Sequence, residues 1–246
     1  MSELLLKQKL IQLLGKEDFF IWEYYGNGIF SKIQAWIFRS RIKALLKLVR
    51  KSKPNPMIIL DVGCGPMFVS YPLTRNSKCE YIGVDIIHVD KLKKYRDAIR
   101  NSGAQSIEVV RASAEQLPFR ESIFDLVLSL DVLEHLEKPQ KAIMQLCTLT
   151  RKNGIVAISL PLENFFQRLC RIGFTLMKAT GDPILKKAKR VPITRKPEYH
   201  YAGSVKSYED MIKWIKAFFS LLHTAYTPVG FHRSINVNAV HILRGK

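Results

Sequence analysis

The run Ile58-Ile59-Leu60-Asp61-Val62-Gly63-Cys64-Gly65-Pro66 sets the architecture of the chain around it. Its first five residues are mostly branched and apolar, short enough for a buried strand rather than a helix. The strand ends in a glycine turn that opens a helix. Gly63 and Gly65 carry no side chain, so a ligand can come close to the backbone there. A nicotinamide-dinucleotide site asks for a small residue at the sixth position of G-x-G-x-x-G. That position is Phe68, too large for the close helix–strand approach, which argues against a dinucleotide.

Strand and helix patterns alternate from there onward. MIILDVG (57–63), EYIGVDI (80–86), SIEVVRA (106–112), FDLVLSL (124–130) and GIVAISL (154–160) read as five strands, with helical stretches that include 90–102 and 139–151. This alternation predicts a mostly parallel sheet with helices on both faces. Ser207 is placed to cap a helix running to about Phe218. Residues 220–228 and 237–245 read as two further strands that could pair antiparallel.

Two stretches stand outside that rhythm. Residues 2–14 look like a short helix, and 31–50 read as a basic amphipathic helix ended by Ser52-Lys53-Pro54-Asn55-Pro56. Phe38, Ile42, Leu45, Leu46 and Val49 fall on one face of the second helix, with Ile33, Trp36 and Ile37 towards the other. Residues 165–178 form another basic amphipathic pattern, and 182–198 are basic and punctuated by proline, as in a mobile loop. The reading divides the chain into a helical extension, residues 1–53, and a main domain, residues 54–246, with 161–200 as a basic insertion.

The 246 residues carry 39 Lys+Arg against 21 Asp+Glu, a net charge of +18. The excess is clustered: residues 32–53 hold eight basic and no acidic side chains, and 171–200 hold eight basic and two acidic. Such clusters attract phosphates on nucleic acid, lipid or small anions, or else merely meet water. The four cysteines, Cys64, Cys79, Cys147 and Cys170, lack metal-ligand spacing and fit a reducing compartment. No uncharged apolar stretch reaches the ~20 residues of a membrane span, and MSELLLKQKL is unlike a signal peptide. The expectation is a cytoplasmic protein, with peripheral membrane association left open.

The stretches ILDVGCGP, YIGVDI, ASAEQLPFRESIFDLVLSLDVLEHLEKP and RKNGIVAISLP, in that order from about residue 59 to 161, resemble the class I S-adenosylmethionine-dependent methyltransferases. Their branch most resembles the ubiquinone and menaquinone biosynthesis methyltransferases. The resemblance implies an α/β Rossmann-like methyltransferase fold, a mostly parallel seven-stranded sheet with helices on both faces. It implies S-adenosyl-L-methionine as cofactor and residues 54–246 as the methyltransferase domain, with 161–200 as a lid.

The cofactor positions follow from the same resemblance. Gly63 and Gly65 would face the methionine half, Asp85 the ribose, residues 113–115 with Ser113 and Ala114 the adenine, and Ser129 and Leu130 the sulfonium; Asp61 and Ile86 are also taken as cofactor-binding. The family often has Asp-Ala-Glu where this chain has Ser113-Ala114-Glu115, so the usual adenine carboxylate is missing.

His200 and His135 are the candidate bases for an acceptor that must lose a proton. Asp131, Glu134 and His135 form a D-x-x-E-H arrangement that would share a helical face, but no metal is assigned to it. The chain lacks the Asn/Asp-Pro-Pro-Tyr/Phe motif of amino-purine methyltransferases and the proline-flanked cysteine of RNA cytosine methyltransferases. Nucleic acid is therefore disfavoured as acceptor. A small-molecule or lipid-like acceptor, a quinone among the options, leads. An RNA or other macromolecular acceptor, or a catalytically silent cofactor-binding subunit, stands as the alternative. The two basic amphipathic segments suit docking on an anionic bilayer, or else their apolar stripes pack on the core.

Overall fold

In a computed structural model, the structure describes residues 29–74, 78–101, 103, 106–162, 207–230 and 236–246. A long helix, α1 (Ile29–Ser52), is followed by β1 (Ile58–Val62), α2 (Ser70–Thr74), β2 (Glu80–Asp85), α3 (Val89–Arg100), β3 (Ile107–Arg111) and β4 (Phe124–Leu130). After a 3-10 turn at Leu133–His135 come α4 (Pro139–Leu149), β5 (Thr150–Pro161), α5 (Tyr208–Phe218), β6 (Phe219–Thr227) and β7 (Asn238–Gly245). The seven strands form one sheet in the order β3-β2-β1-β4-β5-β7-β6. β1 to β5 pair in parallel, and β7 runs antiparallel to both β5 and β6.

All seven expected strands form, and the last two pair antiparallel as the pattern suggested. β5 starts earlier than its apolar run, because Thr150 pairs with Phe124 ahead of an irregularity in the β4–β5 register. Ser207 caps α5, its hydroxyl accepting from the Asp210 N–H at 3.1 Å.

Successive strand residues alternate between two cores, as the pleat requires. Ile59, Leu126, Leu128, Ile155, Ala157, Val240 and Ile242 meet α1 and α3 on one face. Leu60, Val62, Val127, Val156, Ile158 and Leu243 meet α4 and α5 on the other.

The first of these cores decides what the apolar stripe of α1 does. Ile42, Leu45 and Val49 are buried in it, with Phe38 and Leu46 packed alongside. Of the two uses the sequence allowed for this stripe, packing on the core is the one observed, and docking of the stripe on a bilayer is not. The corresponding stripe at 165–178, like the whole segment 163–206, lies outside the described residues. Among the described residues no helix is long and apolar enough to cross a membrane.

Chain direction reverses between β1 and β4: from β1 the chain steps outward to β2 and β3, then returns to β4 on β1's other side. In an open parallel sheet, ligands bind at the carboxyl ends of the strands at such a switch point. Val62, Gly63, Ser129 and Leu130 stand there.

Candidate active site

The glycine turn is held against β2 by its own backbone. The Gly63 and Cys64 N–H groups both donate to the Val84 carbonyl, at 2.7 and 3.0 Å. Gly63 has φ +74° and Gly65 φ +47°, both in the left-handed region that favours glycine. The two glycines serve different ends. A Cβ on Gly63 would lie 2.2 Å from Val132 Cγ2, so this residue lets β1 and the segment after β4 close on each other. A Cβ on Gly65 would meet nothing within 4 Å. Gly65 therefore faces open space, where a bound group can lie directly against the main chain.

Asp85 braces this turn from the end of β2. One carboxylate oxygen accepts from the Gly65 N–H at 2.8 Å and the other from the Ile87 N–H at 3.1 Å. A carboxylate has about four acceptor sites, so two remain for ligand hydroxyls. Beside it, Ile86 is 70% exposed, unusual for so apolar a side chain. Ile86, Arg111, Ala112 and Ser113 line an opening of about 290 Å³. Ser113 Oγ accepts from the Glu115 N–H at 3.2 Å, which leaves its O–H as a donor. Ala114 is buried behind it.

Asp61 points elsewhere. It is buried, and its carboxylate accepts the Tyr81 hydroxyl. Burial pushes its pKa up to about 7, the Tyr81 bond opposes this, and the Asp85 charge adds to it. Asp61 is thus a buried support under the turn, held by Tyr81 and titrating near neutrality. The neighbouring Cys64 thiol is buried too, and burial holds its pKa well above normal. Neither group is set up to react.

At the end of β4, Ser129 is fully buried and its Oγ has no hydrogen-bond partner. A buried hydroxyl without a partner is costly and invites explanation by a ligand. Leu130 follows it, half-buried. Asp131 then takes φ +54° and stands at the centre of a polar cluster. Its carboxylate pairs with Arg41 of α1, accepts from Ser159 Oγ at 2.5 Å, and accepts from Asn238 Nδ2 at 3.2 Å. Arg41 itself is only 6% exposed and lies 4.2 Å from the centre of the Phe38 ring.

The structure separates the D-x-x-E-H residues. Asp131 faces Arg41. Glu134 is buried, and its Oε2 lacks a hydrogen-bond partner. Burial raises its pKa to about 8, against the lowering influence of its own backbone N–H and of Arg41. The His135 ring is largely exposed, its Nε2 4.0 Å from Glu134 Oε1. Among the described residues no three His, Cys, Asp or Glu side chains come together as a metal site. His200 lies outside the described residues.

Sequence reasoning missed Arg41, Ser159 and Asn238. Arg41 was one basic residue among many on α1, and its only distinguishing signal was its place between two apolar stripes. Ser159 and Asn238 reach Asp131 through strand register alone, which no local pattern carries.

Residues 60–158 match the family described as "Methyltransferase domain". This part of the chain is a methyltransferase domain. The expected cofactor, S-adenosyl-L-methionine, is the one whose demethylated form, S-adenosylhomocysteine, is bound in solved structures of this fold. A tRNA (carboxymethyluridine(34)-5-O)-methyltransferase of Arabidopsis thaliana is 34% identical over 112 residues, 44% of this chain and 25% of that protein. The mitochondrial ubiquinone biosynthesis O-methyltransferase of the same plant is 33% identical over 100 residues, 41% of this chain and 31% of that one. This chain spans about half or less of the length of the curated relatives it matches. The fold is also that of the magnesium protoporphyrin IX methyltransferase of Synechocystis, solved with S-adenosylhomocysteine, at TM-score 0.61 and 17% identity over 100% of both chains.

The residues of the methyltransferase domain fit the cofactor chemically. The space beyond Gly65 admits a group a Cβ would exclude, Asp85 keeps acceptor sites for ribose hydroxyls, and Ile86 offers an apolar cover beside the opening at Ser113. Ser129 Oγ is a buried polar atom still without a partner.

Proposed function

We propose that the protein transfers a methyl group from S-adenosyl-L-methionine to an amphiphilic, small-molecule or lipid-like acceptor, a quinone-type ring among the candidates. The observation that carries the transfer is the open glycine turn at Gly65, braced by Asp85 at the switch point of the sheet. Bound S-adenosylmethionine supplies a sulfonium methyl already activated for in-line displacement.

The chain's own work is then to position and to exclude water. Asp85 and the opening at Ile86 and Ser113 hold the nucleoside end. The Gly63–Gly65 turn lets the methionine end lie against the backbone. Ser129, near the carboxyl end of β4, would offer its unpartnered hydroxyl to the bound group. The Arg41–Asp131 pair, tied to β5 by Ser159 and to β7 by Asn238, fixes the backbone that follows. For an oxygen acceptor, His135 is the candidate base among the described residues, because its ring is solvent-accessible and can pass a proton on. His200 is the second candidate.

The acceptor reading is supported by the likeness to a ubiquinone biosynthesis O-methyltransferase and by the exposed indole and cations of α1. Methyl-labelled S-adenosylmethionine, incubated with the protein and a cell extract and then partitioned between organic solvent and water, tests it. Label in the organic phase is the expected result. Label in the aqueous phase that disappears on RNase treatment would overturn the lipid-like acceptor in favour of RNA.

A further inference from the structure

Helix α1 is pinned to the sheet at two heights. Arg41 pairs with Asp131 just beyond the carboxyl end of β4, and Lys53, just past the helix, lies 3.7 Å from Asp125 near the start of the same strand. Twelve helical residues rise about 18 Å. The six-residue span from Asp125 to Asp131 covers about 20 Å of strand. The two lengths agree, so α1 runs antiparallel to β4 and spans the height of the sheet between residues 41 and 53. The remaining turns, from Ile29 to Ser40, reach up to about 18 Å past the carboxyl edge. That is the edge where the cofactor turn sits and where an acceptor must enter.

The projecting end has a distinct outward face. Lys32, Trp36, Arg39 and Lys43 recur at spacings of four, three and four, one stripe of a helix. With Ala35 and Ser40 they line a shallow groove of about 280 Å³. Lys32 and Lys43 are exposed, and Trp36 is 51% exposed although the same helix buries Ile37 and Ala35. No acidic residue occurs anywhere in α1, and Lys47, Arg50 and Lys51 extend the positive surface down the helix.

We propose that this stripe docks the protein on an anionic bilayer, with Trp36 at headgroup level and the exposed Lys32 and Lys43 on lipid phosphates. The inference rests on the amphiphilic-acceptor reading, which it deepens: docking would turn the mouth of the site towards the surface that stores the acceptor. An indole ringed by cations matches that interface, since Trp partitions to the headgroup level and Lys and Arg reach its phosphates. Each near-surface cation adds roughly fivefold to partitioning. The main apolar stripe of α1 and Ile37 are already buried, so among the described side chains Trp36 is the large apolar group this helix leaves exposed. Binding is therefore electrostatic with a single aromatic anchor, and depends steeply on salt and on anionic lipid.

Flotation of the full chain with phosphatidylcholine vesicles, with or without about 30% phosphatidylserine, tests this directly. The expected result is binding to the anionic vesicles alone, lost between low and high salt. The double variant Lys32→Glu/Lys43→Glu should lower that binding at least tenfold while the melting temperature and S-adenosylhomocysteine affinity stay unchanged. The matched pair Lys93→Glu/Lys94→Glu on α3, exposed on a different helix, should lose far less. Equal loss from both pairs would overturn the proposal, as would equal binding to neutral vesicles. So would a single-stranded RNA whose binding depends on Lys32 and Lys43 while vesicle binding does not. The assay needs no acceptor, so vesicle binding together with a water-soluble methylated product would sink the acceptor reading and leave the docking surface standing.

Discussion

Two glycines two residues apart should fail in opposite ways when given a methyl group. Gly63→Ala keeps φ +74°, a conformation that costs an L-residue about 1–2 kcal/mol. It also drives a Cβ to 2.2 Å from Val132 Cγ2, and overpacking of this kind costs about 1–3 kcal/mol more. The sum, about 2–5 kcal/mol, is a large part of the ~5–15 kcal/mol that holds a typical domain together. For a chain of this length it corresponds to a fall in melting temperature of about 5–15 °C. Gly65→Ala pays only the backbone cost, about 1–2 kcal/mol at φ +47°, because its Cβ meets nothing. That Cβ instead occupies the space assigned to the cofactor. An overlap worth about 1–3 kcal/mol would weaken S-adenosylhomocysteine binding by roughly 5- to 150-fold. Urea unfolding and titration calorimetry on both variants separate the two effects. Adding Val132→Ala to Gly63→Ala should recover the overpacking share of the loss. A Gly65→Ala protein that binds within twofold of wild type would refute the placement of the ligand over that turn.

Three further substitutions probe the end of β4. Ser129→Ala removes a buried hydroxyl that has no partner, so stability should hold or rise slightly, while S-adenosylhomocysteine affinity or turnover falls about 3- to 10-fold; unchanged binding and turnover would mean the hydroxyl does not meet a ligand. Glu134 is neutral in the fold up to about pH 8 but ionises near its usual 4.5 once unfolded. The stability it confers is therefore full below about pH 4.5, declines as pH rises, and is gone above about 8. Asp61, raised to about 7, acts in the same direction and is spent a unit earlier. Glu134→Gln should reduce the pH slope of the unfolding free energy between 7 and 8 by roughly 1 kcal/mol per pH unit, read by urea midpoints across that range. Arg41→Met should cost about 1–3 kcal/mol, since Asp131 keeps its bonds to Ser159 and Asn238 and some exposure; a cycle with Asp131→Asn should show the two losses to be strongly non-additive.

The strands, their mostly parallel pairing and the glycine turn were legible because they rest on local signals. Short apolar runs, each closed by a turn residue, specify strands, and the alternation with helices specifies parallel pairing. The cap at Ser207 and the left-handed turn at Gly63 and Gly65 follow from the chemistry of single residues. What was illegible depends on partners far along the chain. Asp61 reads as a ligand-facing acid from its place before the turn, yet Tyr81, 20 residues on, takes its carboxylate into the core. The acidic pattern at 131, 134 and 135 reads as one helical face, but Asp131 adopts φ +54° and only a 3-10 turn follows, so Asp131 turns to Arg41 and away from the Glu134–His135 pair. Asn238 reaches Asp131 across 107 residues because β7 inserts beside β5, which hydropathy alone does not reveal.

The basic character of α1 combines two roles that composition alone cannot separate. Arg41 and Lys53 answer Asp131 and Asp125, the acids at either end of β4, and those pairs fix where the helix sits along the sheet. Buried or partly buried pairing of this kind specifies register more than it adds stability. Lys32, Lys43 and Lys47 lie off the buried stripe and are exposed. Because the pinned segment is as long as β4, the exposed Lys32 and Trp36, which precede it, project beyond the carboxyl edge rather than along the side. Shortening the helix by one turn between the pins would break the match, and either the Arg41 or the Lys53 contact would have to be lost. The position of the projecting stripe over the mouth of the site is thus a consequence of two ion pairs and the difference in rise between a helix and a strand.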